Sequence, residues 1–237
     1  MRVSHRTHQG LVRSSNQDSL LMDTGVYGVA DGMGGHQGGE TASRVAVQVI
    51  KNALRGKKPE QRALEVSIEA ANRRIFDMAR HDSSLSGMGT TVTFLWEGDD
   101  EVLIAHVGDS RAYLLRGGEW KQITDDHSMV AELVRKNVIT AEMARTHPYR
   151  NVITRAVGVD PFVEADLITH DKKPGDVWFL CSDGLYNMVG DEVIAEVLGK
   201  AEDDDSAAEE LLQLALEGGG TDNISFVICR VAEVSGT

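Results

Sequence analysis

A chain of 237 residues with 41% hydrophobic content is long enough for one large domain or two small ones around a substantial core. Its 24 basic residues against 37 acidic ones leave a net charge of −13. That balance excludes the basic face that bulk nucleic-acid binding requires and argues against an anionic membrane surface. A protein this negative that handled a phosphorylated ligand would need metal ions or local arginines to offset its own field.

Arg2–Thr7 alternates and reads as a first strand. Ser19–Met22 and Val26–Ala30 read as two more, separated by the turn signal Asp23-Thr24-Gly25. The glycine-rich GMGGHQGGE follows as a loop. Beyond it Ala42, Val45, Ala46, Val49, Ile50, Ala53 and Leu54 form a helical stripe. Pro59 starts a second helix, with Leu64, Ile68, Ala71, Ile75 and Ala79 on one face. Met88–Trp96, Val102–Val107, Ala112–Arg116 and Trp120–Ile123 read as four strands, and the short links EGDDE, GDSR and GGE predict antiparallel neighbours. Two short helical patterns, Met129–Arg135 and Ala141–Arg145, sit in a mixed stretch. Val163–Ile168 and Val177–Cys181 are strands again. The helices Asp191–Leu198 and Ser206–Leu216 follow, with the acidic KAEDDDS between them expected as a solvated turn and helix cap. ISFVICRV closes the chain as a strand.

This order does not alternate strand and helix regularly, so a doubly wound parallel sheet is not expected. The reading is α+β: mostly antiparallel sheets covered by amphipathic helices, in a single domain over 1–237. Cys181 and Cys229 both lie inside apolar runs and read as reduced core residues. The opening MRVSHRTHQG carries no apolar signal region, and no run approaches the roughly 20 apolar residues of a membrane span. The expectation is a cytoplasmic protein, either whole or an excised domain.

Five aspartates stand at the margins of apolar runs: Asp18, Asp31, Asp109, Asp183 and Asp222. Carboxylates at the ends of several strands can converge at one end of a sheet. Convergent carboxylates repel and raise each other's pKa unless a cation sits among them. Oxygen-only ligation favours magnesium or manganese over zinc or copper. Asp-Gly alone is a common hairpin turn. Here, however, Asp31-Gly32 runs on into GMGGHQGG and Asp183-Gly184 into LYNMV and a helix. A glycine after a metal-binding aspartate lets the backbone approach an ion.

Together ADGMGGHQGGETAS, SNQDS, MGTT, HVGDSRAYL, LCSDGL and GGGTDNIS resemble the bacterial branch of the metal-dependent Ser/Thr protein phosphatases, the type-2C or PPM family. The resemblance runs from about residue 3 to residue 231. It implies a four-layer α-β-β-α sandwich of two antiparallel sheets flanked by helices, with metals at one end. It also implies two core ions, Mn2+ or Mg2+, and a weaker third. Asp31 matches the acid that bridges the core metals, and the Gly32 carbonyl matches a ligand of the second. Asp183 and Asp222 match ligands of the first. Asp18 matches an acid that holds the second, usually through water. Asp109 matches an acid that, with Asp183, holds the third ion. Arg13 matches the arginine that grips substrate phosphate, a role suited to its two-pronged guanidinium. A bridged pair of divalent ions would lower the pKa of a shared water and offset phosphoryl charge.

Met33 stands where many eukaryotic members carry a histidine proposed as general acid. His36, three residues on, either assists leaving-group protonation or is a loop histidine, with metal-bound water as the acid. Met33 reads as packing. His5 and His8 would point to opposite faces of a strand and are not expected to bind metal. Cys181 is no nucleophile, because Asn187 stands where cysteine phosphatases place an arginine. Gly89-Thr90-Thr91 is expected to pack near the site, and Asn223 to orient Asp222. Residues 125–158 match the family's flap, a reasonable place for substrate selection and equally a rigid cap.

The resemblance thus implies a protein-serine/threonine phosphatase acting by metal-activated water, as a monomer. Its expected partners are phosphoproteins, including a Ser/Thr kinase of the same cell and that kinase's substrates. Two rivals remain: a degenerate member that binds phosphoproteins without cleaving them, and a hydrolase of a small phosphorylated metabolite.

Overall fold

The computed structural model describes residues 1–34 and 37–233. Among these the strands are β1 (Arg2–His8), β2 (Asp18–Asp23), β3 (Val26–Met33), β4 (Gly89–Thr90), β5 (Val92–Glu97), β6 (Glu101–Val107), β7 (Arg111–Arg116), β8 (Glu119–Gln122), β9 (Asp166–Asp171), β10 (Val177–Cys181) and β11 (Ile224–Arg230). The helices are α1 (Gly38–Leu54), α2 (Gln61–His81), α3 (Met129–Arg135), α4 (Ala141–Arg145), α5 (Asp183–Tyr186), α6 (Asp191–Lys200) and α7 (Asp204–Glu217).

One sheet has the order β1-β11-β10-β7-β8, the other β2-β3-β5-β6-β9, with β4 on β3, and every pairing is antiparallel. The α+β, two-sheet architecture is the one expected. Its layers follow from period-two alternation in strands buried on both faces. In β10, Val177, Phe179 and Cys181 face α6 and α7, while Trp178 and Leu180 face the other sheet. In β5, Phe94 and Trp96 face α1 and α2, while Leu95 enters the space between the sheets. Fully burying a side chain such as Phe179, 0% exposed, is worth about 1.5–3 kcal/mol.

Five expectations are corrected. The link between β6 and β7 does not join neighbours: Gly108–Ser110 crosses from one sheet to the other. The span Met88–Trp96 is broken at Thr91 into β4 and β5, because the Thr91 N–H turns to the Asp31 carbonyl at 2.8 Å. The strand expected at Val163–Ile168 is Asp166–Asp171, since register with β6 pairs Asp166 with His106 and Asp171 with Glu101. The helix after the glycine-rich stretch begins a turn earlier, at Gly38. A Cβ on Gly39 would lie 2.7 Å from the Gly32 carbonyl oxygen, so glycine lets α1 abut β3. The acidic KAEDDDS is only partly solvated. Asp203 caps α7 by accepting from the Asp205 and Ser206 N–H groups, but Asp204 is buried and accepts from Arg230 Nε at 2.6 Å.

Candidate active site

Asp18 opens β2 and pairs directly with Asp31 on β3. Cross-strand partners project from the same face, so two carboxylates are opposed where like charges are destabilising. The Asp31 backbone is fixed on both sides. Its N–H donates to Thr91 Oγ1 at 2.9 Å, and its carbonyl accepts from the Thr90 hydroxyl at 2.9 Å. The expected proximity of Gly89–Thr91 is therefore found. Asp18 Oδ2 accepts from the Ser182 hydroxyl at 2.8 Å, whereas its buried Oδ1 has no partner among the described residues.

Asp183 follows β10 after Ser182 and begins α5, a single turn that the residue pattern does not signal. Gly184 is required by packing: a Cβ there would fall 2.0 Å from the Asn223 carbonyl oxygen. Likewise a Cβ on Gly32 would lie 2.0 Å from the Gly39 carbonyl oxygen. Both Asp-Gly pairs thus sit where two backbones meet. This brings Asp183 against the Asp222 segment at the start of β11.

Asp222 accepts from Arg13 Nη2 through Oδ2 at 2.6 Å and from the Asn223 N–H through Oδ1 at 2.8 Å. Arg13 rides on the loop between β1 and β2. The Asn223 side chain pins that loop by donating to the carbonyls of Gln9 (2.8 Å) and Ser15 (2.9 Å) and accepting from the Gln17 N–H (2.8 Å). So Asn223 organises the arginine loop with its side chain, and its backbone N–H meets Asp222, the contact through which the expected orienting of that acid is made. Asp109 lies in the inter-sheet link, 8% exposed, its carbonyl accepting from the Tyr186 hydroxyl at 2.9 Å. Arg111 stacks on Tyr186, 3.7 Å from the ring centre, and clasps Asp126 through Nε and Nη2.

The acids feel one another. Burial, then Asp18, Asp183, Asp109 and Asp222, holds the Asp31 carboxyl well above the usual carboxylate range. Burial, then Asp109, Asp222 and Asp18, pushes Asp183 up to about 8, opposed by Arg13. Burial pushes Asp18 to about 6, with Asp222 adding to it. Burial, then Asp126, pushes Asp109 to about 6. All five sequence-predicted acids therefore belong to one electrostatic cluster. Among the described residues no three His, Cys, Asp or Glu side chains close into a ready cage. Hard divalent ions that retain waters do not need one. The orphaned Asp18 Oδ1, the all-oxygen donor set and the mutual repulsion together fit such ions. Arg13 already supplies one positive charge to Asp222.

His36 lies outside the described residues. His5 and His8 are both on β1, and His8 Nδ1 accepts from the Gly10 N–H at 2.9 Å. Cys181 is buried and free, and burial pushes its thiol up, away from a nucleophilic thiolate. Sequence reasoning missed Ser182, Tyr186 and Arg111. Ser182 adjoins Asp183, but no local pattern marks a serine that reaches Asp18 across the sandwich.

Comparison with known proteins follows the same line. A model of the family described as protein phosphatase 2C matches residues 5–214. The chain is 39% identical over 236 residues to the serine/threonine protein phosphatase PstP of Mycobacterium tuberculosis, covering 98% of this chain and 45% of that protein. It therefore spans less than half the length of that relative. It is 36% identical to the serine/threonine phosphatase stp of Listeria innocua, covering 96% of this chain and 95% of that protein. A crystal structure of the M. tuberculosis PstP superposes with a TM-score of 0.93 at 38% identity, over 98% of this chain and 99% of that one. The PstP catalytic domain in complex with two manganese ions gives a TM-score of 0.90 at 37% identity, over 98% of each chain.

Proposed function

The chain belongs to the protein phosphatase 2C family, and from that premise we propose that it is a metal-dependent protein-serine/threonine phosphatase. The observation that carries this reading is the convergence of buried carboxylates. Asp18 lies directly opposite Asp31 across β2 and β3 with its Oδ1 unpartnered among the described residues, and burial together with Asp18, Asp183, Asp109 and Asp222 holds the Asp31 carboxyl well above the usual range. Asp31, Gly32, Asp183, Asp222 and Asp18 would hold two Mn2+ or Mg2+ ions, and Asp109 with Asp183 a weaker third. Bound there, divalent ions would supply a more acidic water and a counter-charge for phosphoryl oxygens.

The protein's own residues do the rest. Arg13, half exposed on a loop pinned by Asn223, exchanges Asp222 for the substrate phosphate and orients it. Ser182 fixes the rotamer of Asp18, and Thr90 and Thr91 fix the Asp31 backbone, so the carboxylates are placed before substrate arrives. His36 is one source of the proton for the departing Ser or Thr oxygen. The substrates of this reading are phosphoproteins, a Ser/Thr kinase of the same cell among them, met by a monomer in the cytoplasm. Among the described residues no helix is long and apolar enough to cross a membrane.

Phosphate release from a phosphothreonine peptide and from a sugar phosphate, each with manganese, tests the reading. Turnover of the peptide far above the sugar phosphate is expected. The reverse order would assign the site to a small metabolite, and tight peptide binding without turnover would make the chain a phosphoprotein reader.

A further inference from the structure

Among the described residues the link Gly108–Ser110 has no strand neighbour, since β6 leaves one sheet there and β7 enters the other. Contacts from elsewhere set its position. The Gly108 N–H donates to His127 Nδ1 at 3.0 Å, and the His127 N–H donates to the Gly108 carbonyl at 2.7 Å. One residue therefore satisfies both backbone groups of Gly108. The backbone has little freedom to drift: φ at Gly108 is +111°, and a Cβ there would meet Thr91 Cγ2 at 2.6 Å. The next residue is Asp109.

His127 is itself fixed. It is 3% exposed. Because Nδ1 accepts from Gly108, the ring proton is on Nε2, which donates to Asp166 Oδ2 at 3.1 Å; Arg155 Nη1, held by its own bond to Asp166, lies 3.1 Å from the same nitrogen. Asp166, first residue of β9, accepts from Arg155 Nη1 through Oδ1 at 2.7 Å. Burial lowers the His127 pKa and the Arg155 guanidinium adds to that, while the hydrogen bond to Asp166 opposes it. The Gly108 contact needs the neutral ring, since a protonated imidazole has no acceptor at Nδ1. The His127 carbonyl also accepts from the Thr154 N–H at 2.8 Å, tying the two ends of the 125–158 segment to the same point.

We propose that His127 and Asp166 are a positioning pair for Asp109: Asp166 sets the tautomer of His127, and His127 clamps the turn that aims the Asp109 carboxylate. This rests on the reading of Asp109 as a metal-holding acid. Neither residue touches the reacting atoms; each acts through Asp109.

Asparagine at 127 places an acceptor near the position of Nδ1, and glutamine places its amide near Nε2. The two substitutions therefore keep opposite halves of the contact. On a phosphothreonine peptide with saturating manganese, His127→Gln is expected to lower kcat about tenfold with KM shifted less than about twofold, and His127→Asn to recover most of that loss. In an Asp109→Ala background His127→Gln should cost less than about twofold, because the carboxylate it positions is gone. An equal penalty in both backgrounds, or wild-type kcat in His127→Gln, overturns the proposal. Should His127→Gln fail to fold, Asp166→Asn replaces it. Nε2–H and Arg155 reach different oxygens of Asp166, and an asparagine has an acceptor at only one of those two positions, so the same loss is expected. Hydrogen exchange at the Gly108 amide, read by NMR, tests the clamp without turnover. Protection in wild type and His127→Asn with fast exchange in His127→Gln supports it, and equal protection in all three overturns it. A wild type that leaves the peptide intact would sink the phosphatase reading, and the exchange data would still decide the clamp.

Discussion

Removing one negative charge from the carboxylate cluster should stabilise the metal-free protein while abolishing its chemistry. Asp183→Asn keeps the shape of the side chain and removes the charge. The Asp183 carboxyl titrates near 3.8 in an unfolded chain and near 8 in the fold. A carboxyl whose pKa is higher folded than unfolded takes up a proton on folding between those values. Folding is thus penalised progressively as pH rises from about 4 to about 8, and the penalty is absent below about 4. At about 1.4 kcal/mol per pH unit, the full effect would be on the order of 6 kcal/mol. Solvent on the open side of this half-buried residue screens part of it, leaving about 2–3 kcal/mol. For a chain of this size that is roughly 5–10 °C in Tm. Thermal melts in chelator at pH 5 and pH 8 read this directly. Wild type should lose stability between the two, and Asp183→Asn should lose distinctly less and be the more stable protein at pH 8. A wild type equally stable at both, or a variant less stable at pH 8, would refute the claim that uncompensated carboxylates crowd this site.

Four further outcomes are expected. Asp31→Ala should lower kcat on the order of 10³-fold in saturating manganese, and a rate near wild type would remove Asp31 from the centre of the site. Arg13→Ala should raise KM for phosphopeptides more than it lowers kcat, because its contact is made mainly to ground-state phosphate; an unchanged KM in steady-state assays would contradict that. Asp109→Ala should lower kcat partially while calorimetry still finds two tightly bound manganese ions, and loss of tight binding would move Asp109 into the core set. Asn223→Ala frees the Gln9, Ser15 and Gln17 backbone groups that fix the Arg13 loop. It should therefore also raise KM for phosphopeptides, and a KM equal to wild type would deny the loop that role.

The acids were legible as aspartates at the margins of apolar runs, because such runs become strands and strand ends gather at the rim of a sandwich. Strands buried on both faces, such as Val177–Cys181, were legible for the same reason, and so were the stripes of α1 and α2. Other features depend on register and on contacts remote in the chain. That Asp18 faces Asp31 is a matter of pairing, which spacing alone does not state. A three-residue link serves equally for a hairpin and for a crossing between sheets, so Gly108–Ser110 misled. Glycine's poor helix propensity hid the first turn of α1, where contact with Gly32 overrides it. Asp204 looked solvated because Arg230, its partner, is far along the sequence. His127 gave no signal at all: a lone histidine in a polar stretch acquires its place only when Gly108 and Asp166 are brought to it.

The central claim is that the clustered carboxylates work by holding divalent cations. Its most direct test is phosphate release from a phosphothreonine peptide by protein stripped with chelator and then titrated with manganese. No turnover is expected in the stripped protein, with activity returning as manganese is added. Full turnover in chelator, or none at saturating manganese, would contradict it.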